Sequence, residues 1–259
     1  MAPPMRLQDL RFDTTRHDLI DLAQHRTKQV TVHTSAFTLG SSSIDRFTLY
    51  TLIVTCAATK TWWIIKKRYK QFSSLRRTLL QHLKSSDVNL QLVRNFPFPK
   101  KHLRLDTPDI VAERKKAFVE FTSILLAVRS ECVFALAKSP APASSPHLEA
   151  IARMIEIFLD VPDRHLTEEV RHASLVLDAS PFAAAAAEEP TTTMFTTDES
   201  VDPSDVCSIC LCSFDDEPTE SCLHMSCGHN FHECCVVQWL EKKLTCPLCR
   251  HASTQGWMF

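Results

Sequence analysis

The 259-residue chain lacks the features of a membrane-spanning or secreted protein. No apolar run approaches the roughly eighteen residues that a membrane span needs, and no secretory signal is visible. Only two of the eleven cysteines, Cys56 and Cys132, precede residue 200, and the sequence shows no internal repeat. These absences favour a cytoplasmic protein of one or two domains that touches membranes without crossing them.

The net charge of −1 hides an asymmetry along the chain. Between Lys60 and Arg104, twelve Lys and Arg residues stand against a single acid, Asp87. Between Asp160 and Glu220, fifteen acids stand against two arginines. We therefore expect a front domain with a positive face, followed by a negative connector.

The other nine cysteines are concentrated near the end of the chain and alternate with histidines. Eight candidate metal ligands occur in this order: Cys207, Cys210, Cys227, His229, His232, Cys235, Cys246 and Cys249. Zinc takes four sulfur or nitrogen ligands in a tetrahedron, and two intervening residues in each outer cysteine pair suit binding to one ion. The pattern predicts two zinc ions. Disulfides are the alternative, but they do not explain the histidines.

The same stretch contains competing ligands. Four residues lie close to the eight in sequence: Cys212, Cys222, Cys234 and His224. Each spare cysteine neighbours a candidate ligand, so spacing alone leaves the choice open. We expect the spare thiols to be packing or loop residues.

The front region predicts strands followed by helices. Alternating or β-rich segments at 29–33, 46–56 and 61–65 indicate three strands joined by short links, which favours an antiparallel meander. Trp62 and Trp63 are predicted core or strand-face residues.

Helical periodicity begins at Phe72. Further helices are predicted from Thr107–Asp109, over 133–137 as a short piece, and over 147–159. The fold class is therefore α+β: a three-stranded antiparallel sheet packed with helices, a flexible linker and a small zinc-stabilised module. The predicted boundaries are 28–162 for the front domain, 163–204 for a disordered acidic linker and 205–252 for the zinc module. Within the linker, residues 166–177 are a candidate for a transient helix.

The front domain resembles the PX family, a phosphoinositide-binding fold. The resemblance depends on the basic segment 67–72, the proline-rich segment 97–100, and Arg114. It implies that Arg68 grips the 3-phosphate of phosphatidylinositol 3-phosphate, that Tyr69 packs on the inositol ring, and that Lys100 holds the bridging phosphate.

The same resemblance implies that Arg114 contacts the far ring hydroxyls. Leu103 and Leu105 are candidates for an apolar wedge in the lipid. The alternatives are a merely solvated basic face, with Tyr69 as a core residue, and a nucleic-acid surface, which no known recognition motif supports.

The zinc module resembles the RING finger in its two-histidine variety. That family's cross-brace implies two sets of ligands, one of Cys207, Cys210, His232 and Cys235, the other of Cys227, His229, Cys246 and Cys249. The ligand spacing of that family implies these eight residues and not the competitors. With four protein ligands each, both ions would be structural.

The resemblance also implies a docking face for a ubiquitin-conjugating enzyme. The matching positions are Ile209, Trp239 and Pro247, for which core packing is the alternative. Arg250 matches the cation that hydrogen-bonds both ubiquitin and its carrier, so that catalysis is by positioning and uses no covalent intermediate.

The sequence thus predicts a RING-type ubiquitin ligase held peripherally on endosomal membranes by phosphatidylinositol 3-phosphate. Its partners would be a conjugating enzyme, ubiquitin and a protein substrate, with no nucleic acid. The alternative is a trafficking adaptor whose zinc module only binds a protein. A zinc-dependent nucleic-acid binder is disfavoured because the module has few basic residues, Lys242, Lys243 and Arg250.

Overall fold

A computed structural model describes residues 30–40, 46–82, 91–102, 106–138, 146–178, 206–215 and 221–259. The strands are β1 (Thr31–Leu39), β2 (Phe47–Cys56), β3 (Thr61–Arg68), β4 (Cys222–Met225), β5 (Asn230–His232) and β6 (Gln255–Met258). The helices are α1 (Tyr69–His82), α2 (Gln91–Asn95), α3 (Pro108–Lys138), α4 (Pro146–Leu159), α5 (Asp163–Asp178) and α6 (Glu233–Leu240). Within these ranges, no helix has both the length and the apolar character that crossing a membrane requires. The predicted α+β class is confirmed.

The three predicted strands form an antiparallel meander, β1–β2–β3. β3 continues beyond its predicted end, and α1 begins directly after it, at Tyr69. Gln71, in the first turn, accepts a hydrogen bond from the backbone N–H of Arg68 at 2.8 Å, which is one half of a capping box. The change from strand to helix therefore falls inside the basic segment.

Helix α3 begins where the sequence predicts. The Thr107 hydroxyl accepts a hydrogen bond from the Ile110 N–H at 3.4 Å, and Pro108 occupies the first helical position, where its missing N–H costs nothing. The prediction of a separate short helix over 133–137 is wrong, because α3 runs unbroken to Lys138. No proline or glycine interrupts residues 109–138, so nothing in the chain ends the helix earlier.

The main hydrophobic core lies between one face of this meander and the helices. Phe72 of α1 stacks on Phe118 of α3, with 4.0 Å between ring centroids. Trp63 points into this core and Trp62 to the other face of β3, since neighbouring strand residues alternate. Both tryptophans are buried, as predicted.

The first sixteen residues of the predicted linker form α5 instead of a disordered segment. Two buried polar residues one turn apart fix this helix to the front domain. Glu169 pairs with Arg129, and the His165 Nδ1 lies 2.8 Å from the Thr59 hydroxyl. The sequence predicted only a transient helix over 166–177, because the acidic composition does not show that Glu169 is buried against a cation. The rest of the predicted linker, 179–204, lies outside the described residues.

The sheet continues into the C-terminal module (residues 206–259). Strand order is β1-β2-β3-β6-β4-β5, and all described pairings are antiparallel. A second apolar cluster joins Ile53, Trp62 and Ile64, on the outer face of the meander, to residues of the C-terminal module. The module is therefore docked on the front domain, whereas the sequence predicted a separate unit on a flexible connection.

Candidate metal centre and lipid-binding face

Two clusters of four side chains lie in the C-terminal module. One contains Cys207, Cys210, His232 and Cys235, and the other contains Cys227, His229, Cys246 and Cys249. Within each cluster the ligand atoms lie within 4.8 Å of one another. The pairs interleave along the chain, so each cluster ties together segments that are far apart in sequence.

The separations between ligand atoms suit tetrahedral zinc. Thiolate and imidazole ligands at their usual distances from one zinc ion are about 3.5 Å apart. The Cys210 Sγ lies 3.3 Å from the His232 Nδ1, and the His229 Nδ1 lies 3.3 Å from the Cys227 Sγ and 3.6 Å from the Cys246 Sγ. The donor set and its spacing are therefore consistent with two zinc ions, one for each cluster. Four protein ligands leave no position for water, which is typical of structural sites.

The two outer cysteine pairs adopt the same turn. The fourth residue after the first cysteine donates its backbone N–H to that cysteine's carbonyl, from Leu211 to Cys207 at 2.7 Å and from Arg250 to Cys246 at 3.0 Å. Both donors have a left-handed backbone, with φ of 65° and 60°. Non-glycine residues rarely adopt this conformation. The turn that brings the Cys246 and Cys249 sulfurs together therefore also fixes the backbone conformation of Arg250.

Protonation of the thiols opposes metal binding. Burial raises the pKa of the Cys246 thiol to about 11, and burial also raises the pKa of the Cys235 thiol. Backbone N–H groups near Cys210 and Cys249 lower the pKa of those thiols. A ligating thiol must lose its proton. Zinc binding at each cluster is therefore accompanied by proton release.

The structure places the competing ligands outside both clusters. Cys212 is exposed and its thiol lies 3.7 Å from the Cys210 carbonyl oxygen, while Cys222 is buried. The Cys234 Sγ lies 3.7 Å from the Cys235 Sγ but is not in its cluster. The His224 ring stacks on Trp257, with 3.8 Å between centroids.

The predicted docking residues lie around the clusters with their apolar groups accessible. Ile209 is 42 % exposed and Trp239 is 36 % exposed, and Pro247 is half-buried. The Trp239 indole N–H donates to the Thr245 carbonyl at 2.8 Å, which fixes the ring. Arg250 is exposed next to Cys249.

Two further members of this apolar set were not predicted from the sequence. Leu211 is 77 % exposed and Leu248 is 49 % exposed. Both residues lie in the turns of the outer cysteine pairs. Only that position in the sequence could have indicated that they belong to the apolar face. The exposed apolar face of the C-terminal module is thus wider than predicted.

The predicted lipid-binding residues lie where β3 meets α1. Arg68 is exposed, and its guanidinium carbon lies 3.2 Å from the centroid of the Phe47 ring. Stacking on an aromatic ring holds a guanidinium without using its five N–H donors. Arg68 therefore keeps its donors available for an anion.

Tyr69 follows Arg68 in the chain and lies next to Arg114 and the Pro99–Lys100 backbone. The Tyr69 hydroxyl donates to the Pro99 carbonyl at 2.8 Å, and the Arg114 guanidinium carbon lies 4.0 Å from the Tyr69 ring centroid. Arg114 also donates to the Lys100 carbonyl at 3.5 Å. Lys100 itself is exposed.

Arg114 differs from the other two cations because it is buried. Its side chain is 3 % exposed and pairs with Asp106 at 2.6 Å. Asp106 also accepts a hydrogen bond from the Thr48 hydroxyl at 2.9 Å. The buried Arg114 guanidinium thus packs against the face of the Tyr69 ring and supports it. The predicted wedge residues Leu103 and Leu105 lie outside the described residues.

Comparison with protein families gives two matches. The Ring finger domain matches residues 205–250, and the PX domain matches residues 57–130. The first range contains both Cys/His clusters, and the second contains Arg68, Tyr69, Lys100 and Arg114.

Individual relatives match the C-terminal module. E3 ubiquitin-protein ligase RNF181 of Rattus norvegicus is 47 % identical over 45 residues, which are 17 % of this chain and 26 % of that protein. Putative RING-H2 finger protein ATL69 of Arabidopsis thaliana is 46 % identical over 46 residues, or 18 % and 28 % of the two chains. RNF181 of Danio rerio is 37 % identical over 70 residues, or 27 % and 44 %.

The chain therefore spans between about a quarter and somewhat under half of the length of these curated relatives. The finger is homologous to the fingers of E3 ubiquitin-protein ligases. The chain carries a PX domain matched over residues 57–130 and a C-terminal RING-H2 finger, matched over residues 205–250, similar to the fingers of RNF181 and the ATL proteins.

Proposed function

We propose that this protein is a RING-type ubiquitin ligase recruited to membranes by phosphatidylinositol 3-phosphate. The observation that carries the proposal is the exposed apolar face around two closed Cys/His clusters, on a finger homologous to those of ubiquitin ligases. In this proposal residues 28–162 bind the lipid and residues 205–252 promote the transfer of ubiquitin from a conjugating enzyme to a substrate lysine.

The apolar face would dock the conjugating enzyme. Large apolar side chains on a small module are typical of an interface, and Ile209, Trp239 and Pro247 would supply its centre. Arg250, held in direction by its left-handed backbone, would donate hydrogen bonds to ubiquitin and its carrier. The chemistry would then be acceleration by positioning a thioester that the partner already carries, and none of this chain's cysteines need act as a nucleophile.

We call Arg68, Tyr69, Lys100 and Arg114 the lipid clamp. Its side chains would contact the lipid headgroup, and Arg114 would also support Tyr69. Arg68 offers a planar fork that suits bidentate contact with a phosphate, and Lys100 offers a second cation for the bridging phosphate. The Tyr69 ring would lie against the inositol, and Arg114 would reach the far hydroxyls while it holds Tyr69 in place. The protein would then be peripheral on the cytoplasmic surface of endosomes.

A self-ubiquitination assay with a panel of conjugating enzymes tests the ligase proposal, run with vesicles that contain or lack the 3-phosphate lipid. We expect chains with at least one enzyme and more product when the lipid is present. Ile209→Ala should stop chain formation, and it leaves the Cys/His clusters intact because Ile209 is not a member of either.

The lipid part has a separate control. Arg68→Ala should remove vesicle binding and leave ubiquitination in solution unchanged. Unchanged binding of this variant would overturn the lipid assignment. Absence of chains with every conjugating enzyme would overturn the ligase assignment and favour the trafficking adaptor.

A further inference from the structure

The C-terminal module and the front domain share one sheet. β6 pairs with β3 over Thr61–Trp63 and, on its other side, with β4. Two further backbone hydrogen bonds join the ends of this contact, from the Ile64 N–H to the Thr254 carbonyl at 2.8 Å and from the Met258 N–H to the Lys60 carbonyl at 2.9 Å. β6 therefore forms the backbone link between the lipid-binding and ubiquitin-transfer parts of the proposed ligase.

Behind this link lies a hydrophobic cluster to which both parts contribute. The front domain supplies the fully or nearly buried side chains Ile53, Trp62 and Ile64. The C-terminal module supplies these apolar residues: Leu223, Met225, Phe231, Val236, Val237, Leu240 and Met258. Val236, Val237 and Leu240 form the buried face of α6, whereas Trp239 on the same helix is exposed.

Polar contacts fix α6 at both ends. At its first residue, the Glu233 carboxylate accepts a hydrogen bond from the Thr55 hydroxyl at 2.9 Å and lies 3.4 Å from the His33 Nε2. Just after its last residue, the Glu241 carbonyl accepts a hydrogen bond from the Ser35 hydroxyl at 2.8 Å. The donors belong to β1 and β2 of the front domain, and Thr55 is 3 % exposed.

We propose that the outer face of the front-domain sheet is a positioning platform that holds helix α6, and with it the conjugating-enzyme face, in one orientation relative to the lipid clamp. The platform consists of Ile53, Trp62 and Ile64 together with the flanking donors Ser35 and Thr55. It touches neither lipid nor conjugating enzyme and acts only through α6. This inference rests on the proposed function, because it concerns how that activity is directed.

The platform also sets a distance. Trp62, which contacts the C-terminal module, and Arg68, in the lipid clamp, lie six residues apart on the same strand, β3. A strand rises about 3.3 Å per residue, so the two contacts are about 20 Å apart along β3. A conjugating enzyme on this face would therefore be offered to substrate lysines from a fixed place relative to the membrane, instead of from the end of a flexible tether.

Ile53→Glu in the full chain is the direct test, with Ile53→Val as the matched control. In the docked state the new carboxylate would be buried without a partner, whereas after separation it would lie on a solvated strand. The main hydrophobic core lies on the other face of the sheet. Vesicle binding should therefore persist in both variants, which shows that the front domain remains folded.

Two measurements decide the outcome. Backbone ¹⁵N relaxation should give one common tumbling time for the two parts of the wild type and of Ile53→Val, and two different times for Ile53→Glu. In discharge of ubiquitin from a conjugating enzyme, Ile53→Glu should raise the KM for the charged enzyme by at least about five-fold, the lower end of usual coupling between sites, with a smaller change in kcat.

The wild type tumbling as two bodies would overturn the proposal, and so would an unchanged KM in a variant whose parts have separated. If the Ile53→Glu variant loses zinc, the Glu233→Gln variant is tested in its place. This change weakens the contacts with Thr55 and His33 without a new buried charge. A raised KM with retained zinc then supports the platform, and an unchanged KM overturns it. If the wild type discharges no conjugating enzyme, the proposed function fails, while the tumbling result still reports on docking.

Discussion

The indole N–H of Trp62 in β3 donates a hydrogen bond to the backbone carbonyl of His224 in β4 at 3.0 Å, although β6 lies between these two strands. Gly256 of β6 is what allows this contact. A Cβ atom built there would lie 2.1 Å from the His224 carbonyl oxygen and 2.5 Å from the Trp62 Nε1. A side chain of any size would push β6 away from one of its neighbours.

We expect Gly256→Ala to destabilise the docked arrangement. Forcing one methyl group into a filled site commonly costs about 1–3 kcal/mol, and here the neighbours of the added methyl group include a backbone atom that cannot rotate away. Limited proteolysis and denaturant unfolding of the full chain measure the loss. Gln255→Ala is the control, because Gln255 is exposed in the same strand. Equal stability of the two variants would contradict the close packing at Gly256.

The sequence predicted local elements better than the contacts between them. The meander and the start of α3 follow from alternation and capping, which are short-range signals, whereas the choice of the eight clustered side chains depended on the resemblance to the RING finger. β6 was missed because residues 255–258 form a strand by pairing with β4 and with β3, and β3 lies almost two hundred residues earlier. Helix α5 was predicted only as a transient helix, because Glu169 resembles a solvated acid until its partner Arg129 is known.

Those buried groups of α5 predict a pH effect on stability. Burial, and secondarily the charge of Arg129, lower the pKa of His165 to about 3. An unfolded histidine titrates near about 6.5. Below that pH the unfolded chain binds a proton that the folded chain does not. The free energy of unfolding therefore falls as pH drops below about 6.5, by up to about 1.4 kcal/mol per pH unit.

His165→Asn should remove this part of the pH dependence. Asparagine retains hydrogen bonding to Thr59 and Thr61 but does not titrate. Between pH 7.5 and 5.5, the stability advantage of the wild type over the variant should shrink by about 1 kcal/mol, measured by urea unfolding with zinc in excess. His102→Asn, at an exposed position, controls for the loss of a histidine elsewhere. A wild-type advantage that stays constant with pH would show that His165 is not held neutral by burial.

Zinc content should distinguish ligands from neighbouring thiols. We expect Cys210→Ser to lower bound zinc from two ions per chain to one, because Cys210 belongs to the first cluster. Cys212→Ser should keep both ions, since its thiol lies outside that cluster. Elemental analysis of the purified chains by mass spectrometry gives the ratio. The pair is matched because both cysteines are exposed and only two residues apart. Equal zinc content in the two variants would mean that the ligand set is wrong.

The two arginines of the proposed lipid clamp should differ in what they stabilise. Arg68 is exposed, so Arg68→Gln should leave the free energy of unfolding within about 0.5 kcal/mol of the wild type and lower vesicle binding alone. Arg114 is buried against Asp106. Arg114→Gln leaves that carboxylate without its cation, and breaking a buried pair costs about 3 kcal/mol or more.

The same change removes the support of the Tyr69 ring, so Arg114→Gln should lower both stability and binding to vesicles that contain phosphatidylinositol 3-phosphate. Urea unfolding and vesicle sedimentation, carried out on the same preparations, give the two quantities. Because the replacement is identical at both positions, the main difference between the two variants is the burial of the arginine that is replaced. If Arg114→Gln weakened lipid binding without loss of stability, the pair of Arg114 with Asp106 would contribute little to the fold, and the role of Arg114 would be limited to the headgroup and the Tyr69 ring.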